Sequence, residues 1–248
     1  MPPIKTILIT GGGRGIGAAI SQRFLAEKWR VIITYAQDEP AAATLASSAP
    51  RGCVEIIKCD LRSAQNISDL FANLDRRDVY PDAVINNAGV TGPKTDLIDV
   101  DASVIEEIFT VNAIGTIWVS REAVRRMSTA RGGKGGSIVN ISSTATKAGS
   151  PHQWVHYAAA KGAVDVFTRG LAAEVAAEGI RVNAVAPGLI INDPAREAEI
   201  QARFKTMSHE IPLGRPGLPA EVAAVAFWLC SDEASYVTGA VLPVSGGR

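Results

Sequence analysis

Tyr157 and Lys161 stand four residues apart, the spacing that puts two side chains on one face of a helix within reach of each other. A phenol with an ordinary pKa near 10 is a poor proton donor and a worse base at neutral pH. An ammonium beside it in a dry cleft favours the phenolate, and lowering the phenol by about 3 units takes roughly 4 kcal/mol. Taken alone, the two residues describe an exposed Tyr and Lys on an alanine-rich helix equally well. Their neighbours change the reading. Asn140-Ile-Ser-Ser-Thr144 ends a β-branched run shortly before that helix, and ligand-binding groups gather at the carboxyl edge of a parallel sheet. A hydroxyl of Ser142 or Ser143 there can hold a carbonyl oxygen beside the tyrosine.

A second cluster lies near the N-terminus. Thr10-Gly-Gly-Gly-Arg-Gly-Ile-Gly17 follows an apolar run and opens a segment with Ile16, Ile20 and Phe24 at four-residue spacing. A glycine-rich turn between a strand and a helix N-terminus is the setting that a dinucleotide pyrophosphate requires. Gly11 suits the tight turn, Gly15 the approach of backbone to pyrophosphate, and Gly17 the close packing of helix on sheet. The next strand ends Thr34-Tyr-Ala-Gln37, roughly 20 residues past the glycines, where NAD enzymes carry an acid for the ribose 2′-hydroxyl. Tyr35 and Ala36 would not repel a 2′-phosphate, and Arg14 offers a guanidinium suited to one. NADP(H) is therefore favoured over NAD(H). Asp38 can reach back toward the ribose or cap the following helix, and capping is the preferred reading.

These groups need elements that bring strand ends together. Seven runs, Thr6 to Thr10, Arg30 to Ala36, Cys53 to Lys58, Ala83 to Asn86, Gly136 to Ile141, Arg181 to Ala186 and Ala240 to Val244, alternate with helical patterns. Most lack a polar face, which predicts a parallel sheet covered on both sides through βαβ crossovers. Two helices, about Val104 to Met127 and about Tyr157 to Ala177, are rich in small residues; they read as oligomer faces or as ordinary sheet cover. From Gly188 to Pro216 the pattern breaks, with Pro194, Pro212 and Pro216 bracketing a mixed helix from about Ala195 to Ser208. Such an excursion is expected to be a substrate lid. Within it Leu189, Ile190, Phe204 and Met207 can meet an apolar substrate, while Arg196, Arg203, Lys205 and His209 read as a solvated face. His152, Trp154 and His156 are expected to line the cleft. Two histidines without a carboxylate at ligand spacing do not make a metal site, and none is expected.

The chain has 248 residues, 47% hydrophobic and 20% charged, which excludes a disordered or fibrous protein. Its 25 basic and 25 acidic side chains cancel, leaving no electrostatic footprint for nucleic acid or an anionic membrane. No run reaches the roughly 20 apolar residues of a membrane helix, and residues Met1 to Lys5 do not open a signal peptide. Cys53, Cys59 and Cys230 lack CxxC spacing and read as buried free thiols of a reducing compartment. A cytoplasmic protein is expected, with small molecules or copies of itself as partners.

The TGxxxGxG turn resembles that of the short-chain dehydrogenase/reductase family. Asp60, Asn86-Asn-Ala-Gly89, Asn112, Ser143, Tyr157-Ala-Ala-Ala-Lys161 and Pro187-Gly188 follow in the family's order, so the resemblance covers essentially the whole chain. It implies a single-domain Rossmann fold over residues 1 to 248, a doubly wound seven-stranded parallel sheet with helices on both faces, and a lid at about 188 to 216. It implies Asn112, Ser143, Tyr157 and Lys161 as catalytic residues, with Asn112 bending its helix and holding a water next to the lysine. The nucleotide would meet Gly11, Arg14, Gly15, Ile16, Gly17, Tyr35, Ala36, Asp60 and Leu61, with Asp60 at the adenine ring. Asn86, Asn87, Ala88 and Gly89 would wall its adenosine half, and Tyr157, Lys161, Pro187, Gly188 and Ile190 would meet the rest. The gap of 14 from Ser143 to Tyr157 is one longer than in many members, which leaves Ser142 as a second candidate for the serine. Members are usually tetrameric, and residues Gly239 to Arg248 resemble the closing strand and tail that meet a neighbouring subunit. Among members, the closest look is to 3-oxoacyl-carrier-protein reductases and glucose dehydrogenase-like proteins. The activity implied is NADP(H)-dependent hydride transfer to a ketone, 3-oxoacyl or sugar-like carbonyl. An NAD-linked alcohol or sugar dehydrogenase is the alternative. A non-catalytic nucleotide sensor would be expected to lack Tyr157, Lys161 or Ser143, and all three are present.

Overall fold

Strands rich in Val and Ile with apolar side chains on both faces need cover on both sides, and alternation along one strand shows how they get it. In β1 (Thr6–Thr10), Ile7 and Ile9 join one buried cluster with Phe24, Val222, Ala226 and Leu229, while Leu8 joins the opposite one with Phe71, Leu74, Val119 and Ala172. The computed structural model describes residues 4–192 and 197–248. The other strands are β2 (Arg30–Tyr35), β3 (Val54–Lys58), β4 (Ala83–Asn86), β5 (Gly136–Ile141), β6 (Ile180–Pro187) and β7 (Val241–Val244). They form one seven-stranded sheet in the order β3-β2-β1-β4-β5-β6-β7, parallel throughout. This is the parallel, doubly covered sheet that the strand pattern predicts and the doubly wound Rossmann arrangement that the family resemblance implies. The sequence-based strand limits depart by a residue at five ends; Ala36, for example, falls just past β2.

Helices α1 (Gly15–Ala26), α2 (Glu39–Ser48) and α9 (Pro219–Cys230) carry the first cluster. Helices α3 (Ala64–Asp75), α5 (Gly115–Met127) and α7 (Val155–Val175) carry the second. Asp38 caps α2, its carboxylate accepting from the Ala41 N–H at 3.1 Å, and Ser63 caps α3 in the same way at 3.2 Å. The long helix expected from Val104 to Met127 runs from Ala102, as α4 (Ala102–Phe109), one π-helical turn (Thr110–Ile114) and α5. By length and composition it is apolar enough to cross a membrane, with mean hydropathy 1.3 over its most apolar window, which the search for a continuous apolar run does not anticipate. Its buried side chains, among them Val119, Ala123 and Met127, cover the sheet.

Beyond β6, Ile190 bridges Gly217 in parallel, and α8 (Glu197–Met207) folds over a small core of Leu189, Ile200, Met207 and Ile211. Pro194, Ala195 and Arg196 lie outside the described residues, as do Met1, Pro2 and Pro3. The C-terminal tail turns back onto this excursion: Leu213 N–H donates to the Gly246 carbonyl at 3.0 Å and Arg248 Nε to Glu210 at 2.8 Å. Cys59 and Cys230 are buried, but Cys53 is only half-buried, because it precedes the edge strand β3.

Candidate active site

Strand order reverses between β1 and β4, so the connections leaving their carboxyl ends diverge and open a crevice. The two strand ends are laced together beneath it. Thr10 Oγ1 accepts from the Asn87 and Ala88 N–H groups at 3.0 and 3.1 Å, and Asn87 Nδ2 donates to the carbonyls of Thr10 and Gly11 at 3.0 and 2.9 Å. Above them lies a cleft of about 1070 Å³. Every residue expected to meet the nucleotide lines it except Asn86. Asn86 instead points into the interior, donating to Ser120 at 2.9 Å and Asn140 at 2.8 Å. It is the last residue of β4, and strand alternation turns it away from the opening that Asn87 faces.

The α1 N-terminus opens into this cleft. No side chain caps it and its first turn contains no acid, so its free N–H groups and partial positive charge are left for an anion. Gly11 and Gly15 take positive φ, +63° and +53°. A Cβ on Gly17 would lie 2.2 Å from the Gly11 carbonyl oxygen and 2.6 Å from Asn87 Nδ2, so this glycine lets α1 close on the turn itself rather than on the sheet. A Cβ on Gly15 would lie 2.8 Å from the Asn192 carbonyl oxygen, which brings the start of the excursion across the glycine turn. Arg14 is exposed at the cleft wall. These features fit a dinucleotide with its pyrophosphate on α1. At the far end Asp60 is held by Arg62, whose Nη2 donates to it at 2.7 Å and Nη1 to Glu107 at 3.2 Å. The guanidinium keeps the Asp60 carboxyl below its ordinary range. Arg62 lines the cleft and was not singled out by sequence; its second partner, Glu107 on α4, is 45 residues away.

At the cleft's other end Ser143, Tyr157 and Lys161 converge. Ser143 stands beside the Tyr157 phenol, and its oxygen accepts from the Ala145 N–H at 3.1 Å. Lys161 Nζ donates to the Ile141 carbonyl at 2.7 Å. Burial pulls the Lys161 ammonium down to about 8, against a smaller upward pull from Asp165. The lowered phenol expected from sequence needs the lysine ammonium together with the positive ring of the oxidised nicotinamide; in the chain by itself burial pushes Tyr157 above its ordinary value, and the neighbouring Ser143 hydroxyl only opposes this. Ser142 also borders the cleft, but its hydroxyl is turned away, donating to the buried carboxylate of Asp165.

Asn112 sits in the π-turn, fully buried. Its amide donates to the Val90 and Ile108 carbonyls, both at 2.8 Å, and its Oδ1 accepts from the Val90 N–H at 3.2 Å. A Cβ on Gly89 would lie 2.6 Å from Asn112 Oδ1 and 3.5 Å from Lys161 Nζ, so only glycine lets Asn112 and Lys161 come together. The helix carries a π-turn at Asn112, and the Asn112 side chain is engaged with the Val90 backbone.

Around the mouth, Trp154, Leu189 and Ile190 line the cleft as expected. Four expectations are corrected. His152 is exposed and pairs with Asp96 at 2.8 Å. His156 is buried with neither ring nitrogen bonded, because it is one residue from Tyr157 on α7 and so faces away. Phe204 and Met207 pack into the small core under α8. Arg203 is not on a solvated face; it lies 4.9 Å from the Trp154 ring centroid and lines the cleft.

The sheet order and its crevice define a Rossmann-type fold. Residues 11–248 match the family described as Enoyl-(Acyl carrier protein) reductase. The chain is 38% identical over 243 residues to an uncharacterized oxidoreductase of Escherichia coli, covering 97% of this chain and 98% of the relative. It is 38% identical over 251 residues to a 3-oxoacyl-[acyl-carrier-protein] reductase of Aquifex aeolicus, covering 98% and 96%. It is 34% identical over 245 residues to glucose 1-dehydrogenase 2 of Bacillus subtilis, covering 98% and 94%. The chain belongs to the short-chain dehydrogenase/reductase family, a family of oxidoreductases that use a nicotinamide cofactor.

Proposed function

We propose that this protein is an NADP(H)-dependent reductase of a carbonyl compound, a ketone, 3-oxoacyl thioester or sugar-like carbonyl, working through Ser143, Tyr157 and Lys161. The observation that carries the reading is the meeting of these three side chains at the end of a glycine-cradled cleft. When bound, the nicotinamide supplies the hydride. The chain's residues handle the oxygen. Ser143 donates a hydrogen bond to the carbonyl oxygen and fixes its place beside Tyr157, whose O–H delivers the proton. An acid must begin protonated, and the upward push of burial on the phenol supports this direction. Lys161, anchored on Ile141, holds a positive charge beside the phenol and stabilises the phenolate left after transfer. Asn112 completes the route by which the lysine side regains a proton. The small core under α8 and the Arg203–Trp154 contact support a lid role for residues 188 to 216, which would keep water from the reacting carbonyl.

The NADP(H) preference rests on Arg14 at the cleft wall, on Tyr35 and Ala36 at the end of β2, and on the commitment of Asp38 to the Ala41 N–H. Asp38 also lines the same end of the cleft, which favours the second reading, an NAD-linked alcohol or sugar dehydrogenase. Parallel fluorescence titrations with NADPH and NADH separate the two. The expected result is tighter binding of NADPH, weakened about tenfold or more in Arg14→Ala as one charge-assisted phosphate contact is lost; preference for NADH unaffected by that substitution supports the second reading.

We further propose a homotetramer. Exposed Ile114 and Ile117 on the α4–α5 helix and Val166 on α7 (39%, 39% and 64% exposed) support an interface on those two helices.

A further inference from the structure

The roles of Ser143, Tyr157 and Lys161 leave a buried acid next to the site unused. Asp165 follows Lys161 by one helical turn on α7 and is 8% exposed. Its carboxylate accepts a hydrogen bond from Ser142 Oγ, and Ser142 is itself 2% exposed. No salt bridge reaches Asp165 among the described residues. A carboxylate held in an interior without a paired cation is costly. Two successive residues at the end of β5 grip this part of α7: the Ile141 carbonyl takes Lys161 at 2.7 Å, and the Ser142 hydroxyl takes Asp165.

We propose that Asp165, fixed by Ser142, is a positioning residue that supplies the counter-charge keeping Lys161 protonated at its anchor on β5. The proposal rests on the catalytic reading of Lys161 above. The groups that face the lysine are Tyr157 and Asp165 from α7, the Ile141 carbonyl from β5, Gly89 beyond β4, and the Asn112 amide beside Gly89. Asp165 is the only one of them that carries negative charge while Tyr157 is a phenol. Asp165 also borders a separate open cleft of about 500 Å³ lined in addition by Thr144, Lys147 and Arg169. Ser142 thus has work distinct from that of Ser143: the first hydroxyl serves the helix behind the site, the second the substrate side.

The test follows the lysine directly. Full-length protein carrying lysine labelled with 13C at Cε is titrated with pH by NMR, and the Lys161 signal is assigned by its loss in Lys161→Met. The wild-type midpoint is expected near 8. In Asp165→Asn it moves to lower pH by about one unit, the scale of losing a nearby opposite charge, and the alkaline limb of kcat/KM moves with it. Ser142→Ala, which frees the carboxylate to swing toward the second cleft, moves the midpoint the same way by less. An unmoved midpoint in Asp165→Asn, including one accompanied by a loss of rate, overturns the proposal; where that variant does not fold, an unmoved midpoint in Ser142→Ala does so. The titration needs no turnover. A chain that binds no nicotinamide nucleotide and reduces no carbonyl therefore fails the functional reading separately, with the lysine result still readable.

Discussion

Tyr157 and Lys161 are perturbed in ways that suit a proton donor and its support. The phenol is pushed up by burial and the ammonium is pulled down to about 8, so near neutral pH the pair starts as a neutral acid beside a cation. Tyr157→Phe is expected to keep nucleotide binding and lose turnover by about a hundredfold or more, the usual worth of a general acid, as read by kcat against a binding titration. For carbonyl reduction, kcat/KM should hold below pH 8 and fall above it as Lys161 loses its proton. The same shift has a stability consequence of opposite sense. The folded value of about 8 lies below the ordinary 10.5, so the unfolded chain binds the extra proton between those pH values and this group's contribution to stability rises across that window. At pH 7 the buried charge costs at most about 3 kcal/mol. Lys161→Met is therefore expected to abolish activity while raising the thermal unfolding midpoint at pH 7. A lowered midpoint would argue that the Ile141 hydrogen bond outweighs the burial of charge. Tyr157, Lys161 and the glycines were legible because their spacing is local. Arg62 and Asp165 were not singled out, because the contacts that tie them to other elements, with Glu107 and Ser142, are made by residues distant in sequence, although Asp60 and Lys161 stand close by.

At the scale of elements, the cleft is made by how strands end. Alternation decides that Asn87 faces the crevice while Asn86 is buried with Ser120 and Asn140; neighbouring identical residues cannot be told apart without knowing where β4 stops. The same ambiguity attends Ser142 and Ser143 at the end of β5. The glycine turn was readable as a turn, yet the contact that demands Gly17 is with Gly11 and Asn87. Gly17→Ala would place a methyl 2.2 Å from the Gly11 carbonyl oxygen. Opening the turn to admit it is expected to cost about 1–3 kcal/mol of stability and to weaken NADPH binding, measured by denaturant melts and fluorescence titration. Unchanged binding would mean that the turn is not where the pyrophosphate sits. At Asn112 the long helix takes a single π-turn, and the Asn112 side chain stitches it to Val90.

For the whole molecule, two faces are built from the same kind of sequence and meet different fates. The buried side of Ala102–Met127 covers the sheet, whereas Ile114 and Ile117 look outward, as does Val166 on α7. Burying such side chains between copies gains roughly 25 cal/mol per Å² of apolar area, and closed symmetric assemblies satisfy every copy at once. Ile117→Glu combined with Val166→Glu is expected to convert the proposed tetramer into dimers or monomers with the far-UV spectrum unchanged, as read by light scattering after size exclusion. A chain that is monomeric before the substitutions would end that reading. The tail, Ser245 to Arg248, packs on the chain's own excursion through Leu213 and Glu210, so any role it has at a neighbouring subunit is added to an intramolecular one.

The sequence by itself determined the sheet, its parallel sense, the glycine turn and the Tyr157–Lys161 pair, since each depends on periodicity or on spacings within one or two helical turns. The tertiary structure decided which of two adjacent asparagines faces the cleft and which of two adjacent serine hydroxyls is taken up by Asp165. It also moved Arg203 from a solvated face to the cleft wall and sent Phe204, Met207 and His156 into the interior. It decided the pairing of Asp165 with Ser142 and of Arg62 with Glu107. These depend on where a strand ends and on which residues meet from far along the chain, and no local pattern carries that information because the contact exists only once the sheet has closed.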